Sequence, residues 1–522
     1  MELIWKELPG ERIIYTGVSQ GTVEGGIPLP EGRSAKEILS YTGEVAISSS
    51  SAREGEIAIE GVVRIDLICM DDKVFAFTSS APFTHRIAAD GVREGMRAEV
   101  QAALQSLEIN KVEGEITLNA VADINAMVTA SGGAKVLDGI SGIEDGEQQR
   151  QELTLYERAG ESRGSFRLRE EIEAPFATEV LYSEVHGALR DVSPGKDGIC
   201  LEGTLYISAL VRSRTGAMSQ LSQAIPFTQT VDGEALTPMW GEVRVSGCQV
   251  RGAEDFGVVI ADVELTYRTW GRAGGRSDAV TDTFSPTVPF NCTHGLIRTS
   301  SYCGLSTQRQ SISENVMIPD GMPEAARVVY ATARPMVTSY GIENGVLTAE
   351  GLLFTRILYT AESGCIFAFN EDIPFSVNME AQGATDAMIY GVAAASAAGG
   401  GRSVELNCTL ILIADLYCTG GFEAVTGIEE CPQRPAHQGI TVYFASAGDT
   451  LYSIAREYNT SRANLLRMND LPEVLQGGER VAFMGYRGIS VFFLFSFHEK
   501  RKAERSKEKR KANGKYIYIN KT

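Results

Sequence analysis

Three stretches of the chain alternate apolar and polar residues around a Glu-Gly step. About Gly61 the residues at even offsets are Ile57, Ile59, Val63, Ile65 and Leu67. About Gly203 they are Ile199, Leu201, Leu205, Ile207 and Ala209, and about Gly351 they are Leu347, Ala349, Leu353, Thr355 and Ile357. A period of two places one face of a strand in a core and the other towards water. Each stretch therefore predicts a half-buried β-strand.

A second landmark follows each of these strands. Pro82-Phe83, Pro226-Phe227 and Pro374-Phe375 stand 21, 23 and 23 residues after the three glycines, and the glycines recur after 142 and 148 residues. Proline is tolerated at the first residue of a strand, where its missing N–H breaks no ladder bond, so each Pro-Phe step is read as opening a second strand. A third alternating stretch closes each copy, at Glu115–Val128, Val258–Trp270 and Val404–Cys418. Landmarks kept in register three times mark an internal repeat. The expected fold class is mainly β: three tandem antiparallel β-sandwich-like repeats at 20–135, 166–275 and 312–425. The joining regions 136–165 and 276–311 are Gly- and Ser-rich but carry strand-like runs such as Glu152–Tyr156, which suits hairpins as well as linkers.

Residues 441–485 change period. A short strand leads to Gly448-Asp449-Thr450, in which Asp449 or Thr450 can cap a helix carrying Leu451, Ile454, Ala455 and Tyr458 on one face. A second short helix presents Leu465, Leu466 and Met468, Asn469 to Pro472 ends it, and Gly477-Gly478 turns into a last strand. The order is βααβ.

Composition narrows the function classes. Of the net charge of −19, residues 499–522 contribute +7, from ten Lys or Arg against three Glu, which leaves −26 on residues 1–498. An acidic body of that size repels phosphate backbones and argues against nucleic-acid binding. The nine cysteines form no Cys-x-x-Cys pair and read as reduced thiols in cores. The opening residues, from Met1 to Glu7, lack a secretory signal pattern, and no apolar run reaches the ~18–20 residues that span a bilayer. A cytoplasmic protein is expected. The tail 488–522, nine nearly all apolar residues before a basic run, reads first as a disordered extension and second as a contact for an anionic membrane.

Candidate chemistry is sparse. Glu60, Glu202 and Glu350 point away from the apolar faces of three separate repeats, so a solvated strand face is expected. No phosphate-binding Gly-x-x-x-x-Gly-Lys-Ser/Thr loop occurs, and Gly399-Gly400-Gly401-Arg402 reads as a hairpin turn. Cys292, His294 and Cys303 are too irregular in spacing for a zinc site, and Gly139-Ile140-Ser141-Gly142 is not a nucleophile elbow. No catalytic residue, metal or cofactor is expected.

The 441–485 unit resembles a LysM domain. The resemblance rests on Gly448-Asp449-Thr450-Leu451, Ile454-Ala455, Tyr458, the Leu466…Asn469-Asp470-Leu471 segment and Gly478 before Val481, with Gly477 and Ala445 standing where Pro and Val are usual. It implies a shallow groove for N-acetylglucosamine-containing glycan, with Gly448, Asp449, Thr450 and Leu451 on one wall and Asn469, Asp470, Leu471 and Pro472 on the other. The alternative is that Leu451 and Leu471 are core residues and Asp449 only a cap. The order of β repeats followed by LysM resembles the SPOCS-domain family of spore-coat proteins. That resemblance implies a non-enzymatic scaffold at the forespore surface in the mother-cell cytoplasm. Its LysM unit and repeats would recruit a coat morphogenetic ATPase or other coat proteins; the alternative is a cell-wall protein holding peptidoglycan.

Overall fold

A computed structural model describes residues 1–112, 115–130, 132–253, 257–431 and 439–484, and the backbone of 517–518. Strand β1 (Glu2–Glu7) precedes a first module of β2 (Arg12–Ile27), β3 (Glu37–Arg53), β4 (Glu56–Met70), β5 (Val74–Ala88), β6 (Arg97–Val112) and β7 (Glu115–Ala130), and β8 (Lys135–Ser141) follows it. The second module holds β9 (Glu147–Glu173), β10 (Glu179–Gly195), β11 (Gly198–Arg212), β12 (Met218–Val231), β13 (Met239–Gly252) and β14 (Val258–Phe284). The third holds β15 (Phe290–Met317), β16 (Ala325–Glu343), β17 (Val346–Ala361), β18 (Ile366–Glu380), β19 (Asp386–Gly400) and β20 (Ser403–Glu430).

Each module has the same topology. Its second, third and fourth strands form one antiparallel sheet, and its first, last and fifth strands form another in that order. The two sheets enclose one core per module, from Val23 to Val128, from Ile172 to Tyr267 and from Val316 to Leu416. The mainly β, three-repeat reading is the architecture found.

The two sequence landmarks are cross-strand partners. Gly61 pairs with Phe83, Gly203 with Phe227 and Gly351 with Phe375. A Cβ on Gly351 would stand 2.6 Å from the Phe375 ring and 2.1 Å from the Met336 carbonyl oxygen, so the ring occupies the space the glycine leaves. Aromatic cover of a strand glycine restores the packing that the missing side chain loses. One expectation is corrected: the Pro-Phe steps do not open strands. Pro82, Pro226 and Pro374 lie inside β5, β12 and β18, eight residues after each strand begins. These are edge strands of their sheets, where a missing N–H faces away from the ladder.

The modules close into a ring. In each module, three positions enter one shared cluster: the bulged residue near the start of the second strand, the residue seven after the landmark glycine, and the first residue of the fourth strand. They are Leu39, Ile68 and Val74; Leu181, Leu210 and Met218; and Val329, Leu358 and Ile366. Polar contacts run around the same circuit. Tyr182 donates to Asp66 Oδ2 at 3.3 Å and Arg212 to the Val74 carbonyl. The Gln220 amide bonds both the N–H and the C=O of Ala331, at 3.0 and 3.1 Å, and Arg327 donates to the Met218 carbonyl. Arg356 donates to the Leu39 carbonyl at 3.2 Å and lies 4.4 Å from the Tyr41 ring centroid. Head-to-tail contacts that return to their start form a closed ring, here within one chain.

The regions between the repeats are strands. β1 pairs with β8, and the outer halves of β9 and β14 and of β15 and β20 pair as two further ribbons. The three ribbons meet in a hub. Val136, Ala279 and Ala424 share one buried cluster, and their chain neighbours Leu137, Val280 and Val425 share the next.

Between hub and ring lies a buried ionic knot. The side chain of Arg158, 2% exposed, pairs with Glu99 at 3.3 Å and Asp415 at 2.9 Å, and its guanidinium carbon is 4.4 Å from the Tyr302 ring centroid. Arg268 joins Glu99 at 2.6 Å and Glu161 at 3.2 Å. All three modules contribute.

The C-terminal unit is β21 (Ile440–Phe444), α1 (Leu451–Glu457), α2 (Arg462–Met468) and β22 (Arg480–Met484). The tail 488–522 lies outside the described residues, except that residues 517–518 pair antiparallel with Thr441 and Val442. Among the described residues no helix is long and apolar enough to cross a membrane.

Candidate functional site

The C-terminal unit folds around Leu451, Ile454, Ala455, Leu465, Leu475, Val481 and Phe483. Thr450, not Asp449, caps α1: its Oγ1 accepts from the Ser453 N–H, and Ser453 Oγ accepts from the Thr450 N–H, both at 3.0 Å. This reciprocal pair satisfies two of the donors a helix start leaves open. Asp449 instead ties the preceding turn, accepting from the Tyr443 hydroxyl at 2.7 Å and the Ser446 N–H at 2.8 Å. Gly448 has φ +94, a conformation open to glycine at little cost. Gly477, at φ +98, likewise sits where proline's fixed negative φ could not.

The first of the two segments singled out from the sequence is bonded to the residues that directly follow the second. Gly448 N donates to the Leu475 carbonyl at 3.0 Å, Leu475 N to the Asp449 carbonyl at 2.8 Å, and Leu451 N to the Glu473 carbonyl at 3.0 Å. The result is a shallow rim. Gly448, Asp470 and Pro472 are exposed on it, and Asp449, Thr450 and Leu471 are half-buried. Leu451 and Asn469 turn inwards. Leu451 is 1% exposed, and the Asn469 amide is committed to the Leu465 and Ala482 carbonyls and the Ala482 N–H at 2.7, 2.7 and 3.0 Å. Val474 went unread in the sequence. It is 49% exposed and forms a bridge with Thr450, so it stands on the rim as an apolar contact point.

Leu451 supports the rim from behind, so Leu451→Ala should open a cavity and cost about 3 kcal/mol. Amide exchange of α1 in the full chain should then accelerate by about a hundredfold, with Leu451→Met close to wild type. Unchanged exchange would show that this side chain does not hold the unit together.

The unit is fixed to the hub by residues that carry no motif. Phe284 of β14 packs edge-on against Tyr452, with ring centroids 5.4 Å apart. Arg462 pairs with Glu147 at 2.7 Å, a contact that raises the arginine further above its ordinary pKa. Arg456 pairs with Asp282, and Asn459 donates to the Pro286 carbonyl at 3.1 Å.

The other candidates stay apart. Glu60 and Glu350 are exposed, each beside a serine hydroxyl at 3.3 Å, and Glu202 pairs with Arg190. Cys292 donates to the Thr283 carbonyl, His294 meets Asp282, and Cys303 lies towards Ser301 and Gly383. Among the described residues no three His, Cys, Asp or Glu side chains gather as a metal site.

Comparison with known families gives two matches. Residues 34–124 and 324–396 match the SipL, SPOCS domain model, and residues 446–473 match the LysM domain model. The first two segments run from just before β3 into β7 and from just before β16 into β19, corresponding parts of the first and third modules. No curated protein and no solved structure matches the chain. The chain carries SPOCS and LysM domains, and in that combination it is similar to SipL.

Proposed function

We propose that this protein is a non-enzymatic scaffold for assembly of the spore coat or envelope. In this reading it acts at the forespore surface in the mother cell and recruits a coat morphogenetic partner through the LysM rim and the β modules. The observation that carries the reading is the joining of a LysM unit to a closed ring of three β modules, two of which match the SPOCS model, by a specific interface, Phe284 on Tyr452 and Arg462 on Glu147. A scaffold needs that arrangement, because a docked partner is then held in a set relation to three broad sheet surfaces. The acidic body favours a basic protein partner.

A second reading is favoured by the LysM match, which supports recognition of N-acetylglucosamine-containing glycans such as peptidoglycan. The rim's exposed backbone turns and polar groups suit sugar hydroxyls and acetamides.

One substitution tests both. Val474→Glu places a charge on the rim at a half-exposed position and should leave the fold intact. Capture of a coat ATPase from sporulating-cell extract, or sedimentation with peptidoglycan, should fall by about tenfold. The activity that falls identifies the ligand class. If the variant retains both at wild-type level, the rim is not the recognition surface.

A further inference from the structure

An open cleft of about 650 Å³ lies between the hub and α1 of the LysM unit. Its lining includes Gln149 and Gln151 of β9, Thr281 of β14, His294 of β15, Glu423 of β20 and Arg456 of α1. Four strands of two ribbons and one helix meet there.

The chemistry of the lining selects the ligand. Every cation in it is already neutralised within the protein. Arg150 pairs with Asp278 at 2.6 Å and Asp138 at 3.5 Å, and Arg456 pairs with Asp282, which also meets His294 Nε2 at 3.3 Å. No positive charge is left over for a phosphate or carboxylate. Apart from the His294 imidazole no aromatic or aliphatic side chain lines the walls, so an apolar ligand gains little by entering. The uncommitted groups are the side-chain amides of Gln149 and Gln151 and the carboxylate of Glu423, which have no hydrogen-bond or ion-pair partner among the described residues. Amides supply both donors and acceptors and a carboxylate supplies acceptors, a set suited to hydroxyl and acetamide groups.

The cleft also connects to the LysM rim. Glu147, Gln149 and Gln151 lie on one face of β9 by strand alternation, each about 7 Å from the next. Glu147 holds Arg462, whose Nη1 is 3.6 Å from Glu473 in the rim loop between Pro472 and Val474. A polar path therefore runs from the rim, over Arg462 and Glu147, into the cleft.

We infer that this cleft is a second saccharide subsite, which takes a neutral, hydroxyl- and acetamide-rich segment of a glycan chain whose other end lies on the LysM rim. The inference rests on the glycan reading of that rim and assigns the hub a direct part in binding.

Calorimetric titration of the full chain with short and long N-acetylglucosamine oligomers tests it. The long oligomer should bind at least about tenfold more tightly than the short one. The double variant Gln149→Ala/Gln151→Ala, which alters only exposed amides, should remove that gain and leave short-oligomer binding unchanged. Equal affinity for both lengths, or a gain that survives in the variant, overturns the subsite while the rim reading stands. If neither oligomer binds, the glycan reading of the rim and the subsite fall together.

Discussion

Replacing Arg158 by Met should destabilise the protein by about 3–5 kcal/mol, because it strands buried charge. The Arg158 side chain is 2% exposed, and its carboxylate partners Glu99 and Asp415 come from the first and third modules. Glu99 would keep Arg268 at 2.6 Å. Asp415 would be left with the Tyr302 hydroxyl at 3.0 Å and no cation. Burial already raises the Asp415 pKa despite Arg158 beside it, so without that arginine it should rise further. The measurement is the urea midpoint of the full chain, with Arg158→Met/Asp415→Leu as the partner variant. The double variant should recover part of the loss, since a pair removed together leaves no uncompensated charge. A single variant as stable as wild type would mean that the knot does not hold the modules together.

The same knot sets an acid limit. Burial alone would raise the Glu99 pKa, but the hydrogen bond from Arg268 and the charges of Arg158, Arg268 and Arg97 hold it down to about 2, against an ordinary 4.5. A depressed folded pKa gives stability that is complete above the ordinary value and is lost as pH falls towards the folded one. The contribution of Glu99 should therefore fade between about pH 4.5 and about pH 2. Asp415 acts with the opposite sign, its contribution being greatest below its ordinary value and lost as pH rises through the folded one.

Phe375→Ala should cost the third module about 3–5 kcal/mol. The ring is 6% exposed and lies over Gly351, so its removal empties a space that no neighbouring Cβ can fill. Gly351→Ala cannot compensate, because its Cβ would still meet the Met336 carbonyl oxygen at 2.1 Å. Phe227, 7% exposed over Gly203, should behave alike, and the half-buried Phe83 over Gly61 should cost less. Amide exchange in the landmark strands of each module reads these losses separately. Equal losses in the first and third modules would contradict the burial argument.

These pairs show what the sequence makes legible. Glu-Gly and Pro-Phe were visible as landmarks, and their spacing carries a hairpin length. Three residues join β4 to β5 and five join β11 to β12, which accounts for separations of 21 and 23. Alternation was legible because each strand has one wet face and one dry face. The ring was not, because equivalent interface positions differ in chemistry: five residues after each landmark glycine stand Asp66, Ser208 and Arg356. An acid, a hydroxyl and a base share no pattern, although each faces a neighbouring module.

The candidate site divides the same way. Local signals marked the turn, the cap and the helix faces, and the motif drew attention to Leu451 and Asn469. Helix spacing already placed Leu451 on the apolar face, and it does turn inwards; no local pattern said the same of Asn469, which does so too. The anchoring pairs Arg456–Asp282 and Arg462–Glu147 join residues more than 170 positions apart. No local pattern could reveal them.

The head-to-tail contact that returns to its origin after three steps has a further consequence. Open solenoids need special terminal repeats to cover their last faces, and unmatched faces of that kind polymerise. Here the last copy covers the first, so the array is self-capped: there is no seat for a fourth unit and no free end from which a filament could grow through these faces. Deleting one copy would uncover two complementary surfaces, and such a chain could restore the circuit only by borrowing a unit from another molecule.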